Sequence, residues 1–114
     1  MLQASLLKDI EYGDDKPKVS LLFESDFTKE IRIVFRAGQT MAAHQTSHPI
    51  TVEIVDGILD FGVASEKHRL GRGDLIALPP NVPHDLHALT DCVVRLTLTR
   101  QDQVQRVVNV IKAN

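Results

Sequence analysis

The side chains in this sequence best suited to hold a metal ion or move a proton are its five histidines, His44, His48, His68, His84 and His87. Imidazole ligates transition metals in its neutral form and titrates near neutral pH, so its placement decides which of these roles is open. His84 closes the stretch running from Gly73 to Pro83. In that stretch Gly73-Asp74 supplies a turn, Leu75 to Leu78 has the length of a buried strand, and Pro79 to Pro83 interrupts pairing before the imidazole. Prolines remove ladder donors at a strand end, so they fix where the ring emerges and leave the strand behind it intact. His44 lies in a polar stretch from Gln39 to Pro49 and has His48 four residues beyond it. His87 follows His84 by three, which turns it to the opposite face of an extended chain. His68 stands beside the Gly71-Arg72-Gly73 turn and reads as solvent-facing.

Two chemistries are open to this set. A divalent ion (iron, manganese, nickel or zinc) normally takes at least three protein ligands, and His44, His84 and His48 would supply them. Alternatively His44 and His84 form a neutral pair, satisfied by each other or by ordered water, with no metal between them. Other catalytic parts are sparse. Strand alternation places Glu53 on the face opposite Val52 and Ile54, the single tyrosine is Tyr12 near the amino terminus, and no serine stands in a nucleophile motif.

The elements that must position these residues are short strands. Val19, Leu21 and Phe23 alternate, and after the Glu24-Ser25-Asp26 turn Ile31, Ile33 and Phe35 share one face with arginines on the other. Thr51 to Val55 is a β-branched run closed by Asp56-Gly57, which predicts a hairpin returning along Ile58 to Val63. His68 to Leu70, Leu75 to Leu78 and Val93 to Thr99 continue the series, for at least seven strands and no helical pattern among them. Closely spaced short strands of this kind predict a sandwich or barrel. In the tail, Val104, Val107, Val108 and Ile111 recur at helical spacing, and Asp102 with Gln105 resembles a capping pair, so a short carboxy-terminal helix is expected.

Composition sets the outer limits. The 114 residues, 43% hydrophobic and 25% charged, suit one domain with a single core. A formal charge of −2 and the lack of any Lys/Arg-rich run argue against nucleic acid or an anionic bilayer as partner. The lone Cys92, among apolar neighbours, reads as a small buried hydrophobe and asks for no oxidising compartment. Without an apolar run of signal-peptide or membrane-span length, a cytoplasmic protein is expected.

The segment from Gly38 to Gly57, in which Gly38 precedes His44 by five intervening residues, resembles the first cupin motif. The segment from Gly73 to Ala88, with five residues between Gly73 and Pro79 and four between Pro79 and His84, resembles the second. The likeness covers roughly Ile31 to Thr99. It implies an all-β double-stranded β-helix, a jelly-roll barrel occupying about residues 19–99 of a single domain 1–114, followed by the tail 100–114. Small cupins are often homodimers, and the resemblance implies that here. Metal-binding cupins carry a second histidine two positions after the first and a glutamate a few positions later, where this chain has Thr46 and Ile50; the asparagine that ends the second motif is Ala88. Only His44 and His84 carry over from the family's ligands.

Two functions follow as expectations. One is a metal-dependent enzyme acting on a small molecule, with His44, His84 and His48 around one divalent ion. The other is a non-catalytic barrel that binds or senses a small ligand without metal, in a pocket of Ile33, Phe35, Thr46, Ile50, Val52, Ile54 and Leu96, with the two imidazoles orienting a carboxylate or carbonyl group.

Overall fold

The computed structural model describes residues Met1 to Ala113. Asn114, the last residue of the expected tail, lies outside the described residues. The strands are β1 (Lys18–Glu24), β2 (Thr28–Phe35), β3 (Thr40–His44), β4 (Ile50–Asp56), β5 (Ile58–Val63), β6 (Glu66–Gly71), β7 (Leu75–Leu78), β8 (His84–Ala88) and β9 (Cys92–Thr99), followed by helix α1 (Val104–Ala113). They form two antiparallel sheets, one ordered β1-β2-β9-β4-β7 and the other β3-β8-β5-β6. This is the jelly-roll barrel that the cupin resemblance implies, and it falls within the sandwich-or-barrel class predicted from strand spacing.

Alternation builds the core. In the five-stranded sheet Ile31, Leu96 and Val52 form one cross-strand row, and Ile33, Val94 and Ile54 form the next. Leu59 and Phe61 of β5 and Leu86 and Ala88 of β8 close the core from the other sheet. The outward face of the large sheet carries an ionic network instead. Glu30 accepts from Thr97 Oγ1 at 2.6 Å, from Arg95 Nε at 3.0 Å and from Thr28 Oγ1 at 2.8 Å. Glu53 joins it through Arg95 Nη1 at 3.5 Å, on the outer face where alternation placed it. Arg32 holds the amino-terminal segment by donating to the Lys8 and Asp9 carbonyls, at 2.8 and 3.3 Å.

The Asp56-Gly57 pair is not a hairpin turn. β4 pairs with β7 and β9, whereas β5 pairs with β6 and β8, so the chain at Gly57 crosses from one sheet to the other. The tight hairpin lies one strand later, where Ala64 and Ser65 both take positive φ (54° and 66°) between β5 and β6. Two central residues at positive φ make the turn whose twist suits a two-residue hairpin, and the long pairing of β5 with β6 holds them there without asparagine or glycine. Gly57 serves the corner instead. Its φ is +94°, and a Cβ there would lie 2.3 Å from the Asp91 carbonyl oxygen and 2.7 Å from Cys92 Sγ.

The expected terminal helix is present, although its four valines lower intrinsic propensity. Burial offsets that cost: Val107 and Ile111 enter the core, and each such side chain contributes about 1.5–3 kcal/mol when fully buried. The expected Asp102–Gln105 pair does not form. Asp102 Oδ1 accepts from the Gln103 amide at 2.8 Å, while the Gln105 side chain donates to Asn109 Oδ1 at 2.9 Å, one turn along the exposed face. Asp102 takes its side-chain donors from Arg106 and Thr46 instead. Among the described residues no helix is long and apolar enough to cross a membrane.

Two of the three positive-φ glycines, Gly57 and Gly38, separate backbone strain from crowding. Gly57→Ala should cost about 2 kcal/mol or more, because the left-handed backbone and the collision at the corner act together. Gly38→Ala has φ +90° but no atom within 4 Å of the added carbon, and should cost about 1 kcal/mol. Urea denaturation of both variants checks the ordering; equal losses would show that the corner is not crowded.

Candidate functional site

His44 ends β3 and His84 begins β8, and these residues are direct cross-strand partners. Two local features bring them there. A register shift between Met41 and His44 interrupts plain alternation, so that both Met41 and the ring three residues on serve the interior. In the proline segment the Asn81 amide donates to the Thr46 carbonyl at 2.7 Å, tying the loop before β8 to the loop after β3. The ring centroids are 4.3 Å apart with planes tilted by 59°. Phe61 of β5 stacks on His84 at 5.5 Å, nearly parallel.

The tautomers follow from the neighbours. His44 Nδ1 lies 2.7 Å from the Ala42 carbonyl and His84 Nδ1 lies 2.9 Å from the Val82 carbonyl. A carbonyl oxygen only accepts, so each Nδ1 carries the hydrogen and each Nε2 keeps a lone pair. Burial pushes the His44 pKa down to about 4, against the upward pull of the Ala42 bond and of Asp85, and with His84 and Arg106 adding to the depression. Burial also lowers that of His84, and Arg106 reinforces the effect. Both rings are therefore neutral at pH 7, with two hydrogen-bond acceptors and no donor left over.

The space between the rings is small. A cavity of about 20 Å³ is walled by Ile33, Ile50, Val52 and Leu96, as expected, together with Met41, Leu86, Val94 and both imidazoles. That is room for about one water molecule. Phe35 and Ile54, also expected in the pocket, are fully buried in the core and do not line this cavity. Arg106 of α1 closes it. Outside the closure, a cleft of about 670 Å³ runs between the loop after β3 and α1, and His44 and Arg106 border it as well.

Arg106 is positioned by Asp102, a carboxylate only 4% exposed. Nε and Nη2 of Arg106 each donate to it at 3.0 Å, Thr46 Oγ1 donates at 2.8 Å, and Lys29 Nζ donates to the Asp102 carbonyl. Burial pushes the Asp102 carboxyl up, but the bonds from Arg106, Thr46 and Gln103 outweigh it and hold the group below the usual carboxylate range. Thr46 thus faces the base of the helix instead of lining the cavity. From the sequence Asp102 was read only as a helix-capping residue and Arg106 was not singled out; the available signal for the pair was an acid and a base four residues apart within the helical period of the tail.

This donor set does not fit a resident divalent ion. His48, the expected third ligand, borders the outer cleft, with its Nδ1 3.4 Å from Ser47 Oγ and its amide bonded to Thr46 Oγ1. Among the described residues no three His, Cys, Asp or Glu side chains converge to hold a metal. Besides the two imidazoles, the polar side chain lining the cavity is the Arg106 guanidinium, which repels a cation. His68 pairs with Glu66 on the surface, and His87 pairs with Thr40 and Asp60 on the outward side of β8.

An antiparallel jelly-roll barrel with a histidine pair at its mouth defines a class of small β-barrel protein. The chain belongs to the cupin domain family, whose model matches residues 31–99. An RmlC-like cupin from Desulfovibrio desulfuricans superposes with a TM-score of 0.79 at 24% identity, over 87% of this chain and 96% of that one. TT1209 from Thermus thermophilus gives 0.78 at 18% identity, over 87% and 97%, and KdgF from Halomonas sp. gives 0.71 at 21%, over 84% and 94%. At these identities the likeness is one of fold. No curated protein matches the chain.

The depressed imidazoles predict an acid-labile fold. A base whose folded pKa lies below its unfolded value contributes stability above the unfolded pKa, and that contribution is lost as protons bind the unfolded chain. For His44 the loss should run from pH 6.5 down to about 4, with His84 acting in the same direction. Thermal melts at pH 7.5 and 5 should show a clear drop in Tm that His44→Gln reduces. A variant with an unchanged drop would remove His44 as its source.

Proposed function

We propose that this cupin is a non-catalytic, metal-free barrel that binds a small molecule at the His44–His84 pair through hydrogen-bond donors on the ligand. The observation that carries the reading is the commitment of both Nδ1 hydrogens to backbone carbonyls, which leaves an Nε2 lone pair on each of two neighbouring rings. A carboxylate or carbonyl oxygen would meet lone pair against lone pair there; a hydroxyl or N–H group would meet an acceptor. The apolar walls supply the remainder of the binding surface. Homodimer formation is part of the same proposal. It is supported by Leu21 and Phe27, 47% and 75% exposed beside the open edge strand β1.

Elemental analysis of protein purified without chelator or histidine tag, before and after incubation with iron, manganese, nickel and zinc, should find no stoichiometric metal after desalting. One ion per chain that disappears in His84→Ala would replace this reading with a metal-dependent enzyme. A screen of small polyols and hydroxy acids, followed by the 15N resonances of the imidazoles, should return ligands that shift both Nε2 signals. His84→Gln should weaken them about ten-fold, roughly 1.4 kcal/mol. Binding indifferent to that substitution would place the ligand elsewhere. Light scattering in the micromolar range should report twice the chain mass, and a single-chain mass throughout would remove the dimer.

A further inference from the structure

We propose that the ligand of this site also carries a carboxylate, and that on binding it takes Arg106 over from Asp102. This rests on the reading of His44 and His84 as acceptors and names the other half of what they recognise. Arg106 and His44 border both the inner cavity and the outer cleft, so together they form the partition between the two. His84 is 5% exposed and the inner cavity holds about one water, so a ligand that reaches both rings from the outer cleft has to move that partition; a separate cleft of about 420 Å³ borders His84 but neither His44 nor Arg106.

The partition is built for anion exchange. Asp102 engages Arg106 through two parallel bonds of 3.0 Å, the geometry that a ligand carboxylate would adopt on the same guanidinium. Asp102 does not depend on Arg106 alone, because Thr46 Oγ1 and the Gln103 amide stay with it at 2.8 Å each. When Arg106 turns to an incoming carboxylate, neither the arginine nor the aspartate is left buried without a partner, which is the arrangement that keeps the cost of such an exchange low. The Nε2 lone pairs turn an anion away from the rings and toward Arg106, with an adjacent hydroxyl directed at the imidazoles. A short hydroxy carboxylate carries both groups. Asp102 then acts as an internal competitor that keeps the site shut in the absence of ligand.

Glycolate is the smallest probe that carries both groups, and acetate is its control without the hydroxyl. Each is titrated into the unmodified protein and into Asp102→Asn, Thr46→Val and Arg106→Gln, with the imidazole 15N signals as readout. Asp102→Asn should bind glycolate at least about ten-fold more tightly and Arg106→Gln at least about ten-fold more weakly than the unmodified protein, with acetate weaker than glycolate in each. Thr46→Val keeps the ion pair while loosening the seat of Asp102, and should give a smaller tightening. It carries the test if amide exchange from Val104 to Ala113 shows that Asp102→Asn releases α1. Glycolate affinity that is the same in the unmodified protein, Asp102→Asn and Thr46→Val overturns the exchange, even while shifts at both rings uphold the binding site. Silence of both rings toward glycolate in every variant overturns the proposal outright; the acceptor reading falls with it only if neutral polyols leave the rings equally silent.

Discussion

Burial holds two imidazoles 4.3 Å apart inside an apolar barrel in the neutral form. The chain meets this constraint in the same way twice. Each ring donates Nδ1–H to a carbonyl two residues before it, which satisfies one nitrogen, fixes the tautomer and leaves the other nitrogen as an acceptor. The surroundings depend on that neutrality. Phe61 lies flat on His84, aliphatic side chains form the walls, and the guanidinium of Arg106 approaches because neither ring opposes it with a charge. Protonation of either ring would set like charges together in a space with room for about one water molecule.

The helix that closes the barrel and the departures from the metal-binding cupin pattern belong together. At the place of the family's second histidine stands Thr46, whose hydroxyl binds Asp102 and so secures the start of α1. At the place of the glutamate stands Ile50, which is a wall of the cavity. A carboxylate there would face Arg106 and compete with Asp102 for it. The substitutions that remove two metal ligands are thus the ones that allow a cationic residue to be held over the barrel mouth by a buried acid. The weak helical propensity of the tail matters little beside this, because α1 is held from below by Val107 and Ile111 and at its start by the donors around Asp102.

Strand identity was legible in the sequence wherever alternation had a buried side, as in Ile31, Ile33 and Phe35 or Val94, Leu96 and Leu98. Strand partnership was less so. Asp56-Gly57 has the chemistry of a hairpin turn, yet a corner between sheets asks for the same residue: a positive φ with no side chain, here pressed against Asp91 and Cys92. Ala64-Ser65 makes the tight turn without any of the usual residues, because pairing along all of β5 and β6 outweighs the cost of two positive φ angles. Local chemistry narrows the choice of turn, and the sheet to which the next strand adds its hydrogen bonds decides it.

The sequence by itself determined that the chain is built of short strands in a sandwich or barrel, since two-residue periodicity and turn spacing need no knowledge of distant partners. It also determined that His84 follows a strand and a proline break; His44 it placed only in a polar stretch, where the structure has the end of β3. Tertiary structure decided what those histidines face. The shift within β3 that aims His44 inward, the bond from Asn81 to Thr46 that aligns the two loops, and the placement of His48 in the outer cleft arise from pairing between segments far apart in the chain. So does Arg106. Nothing in its own neighbourhood says that it reaches the two imidazoles, because the reason is the packing of α1 across the barrel mouth, and helical periodicity reports that a face is buried without reporting against what.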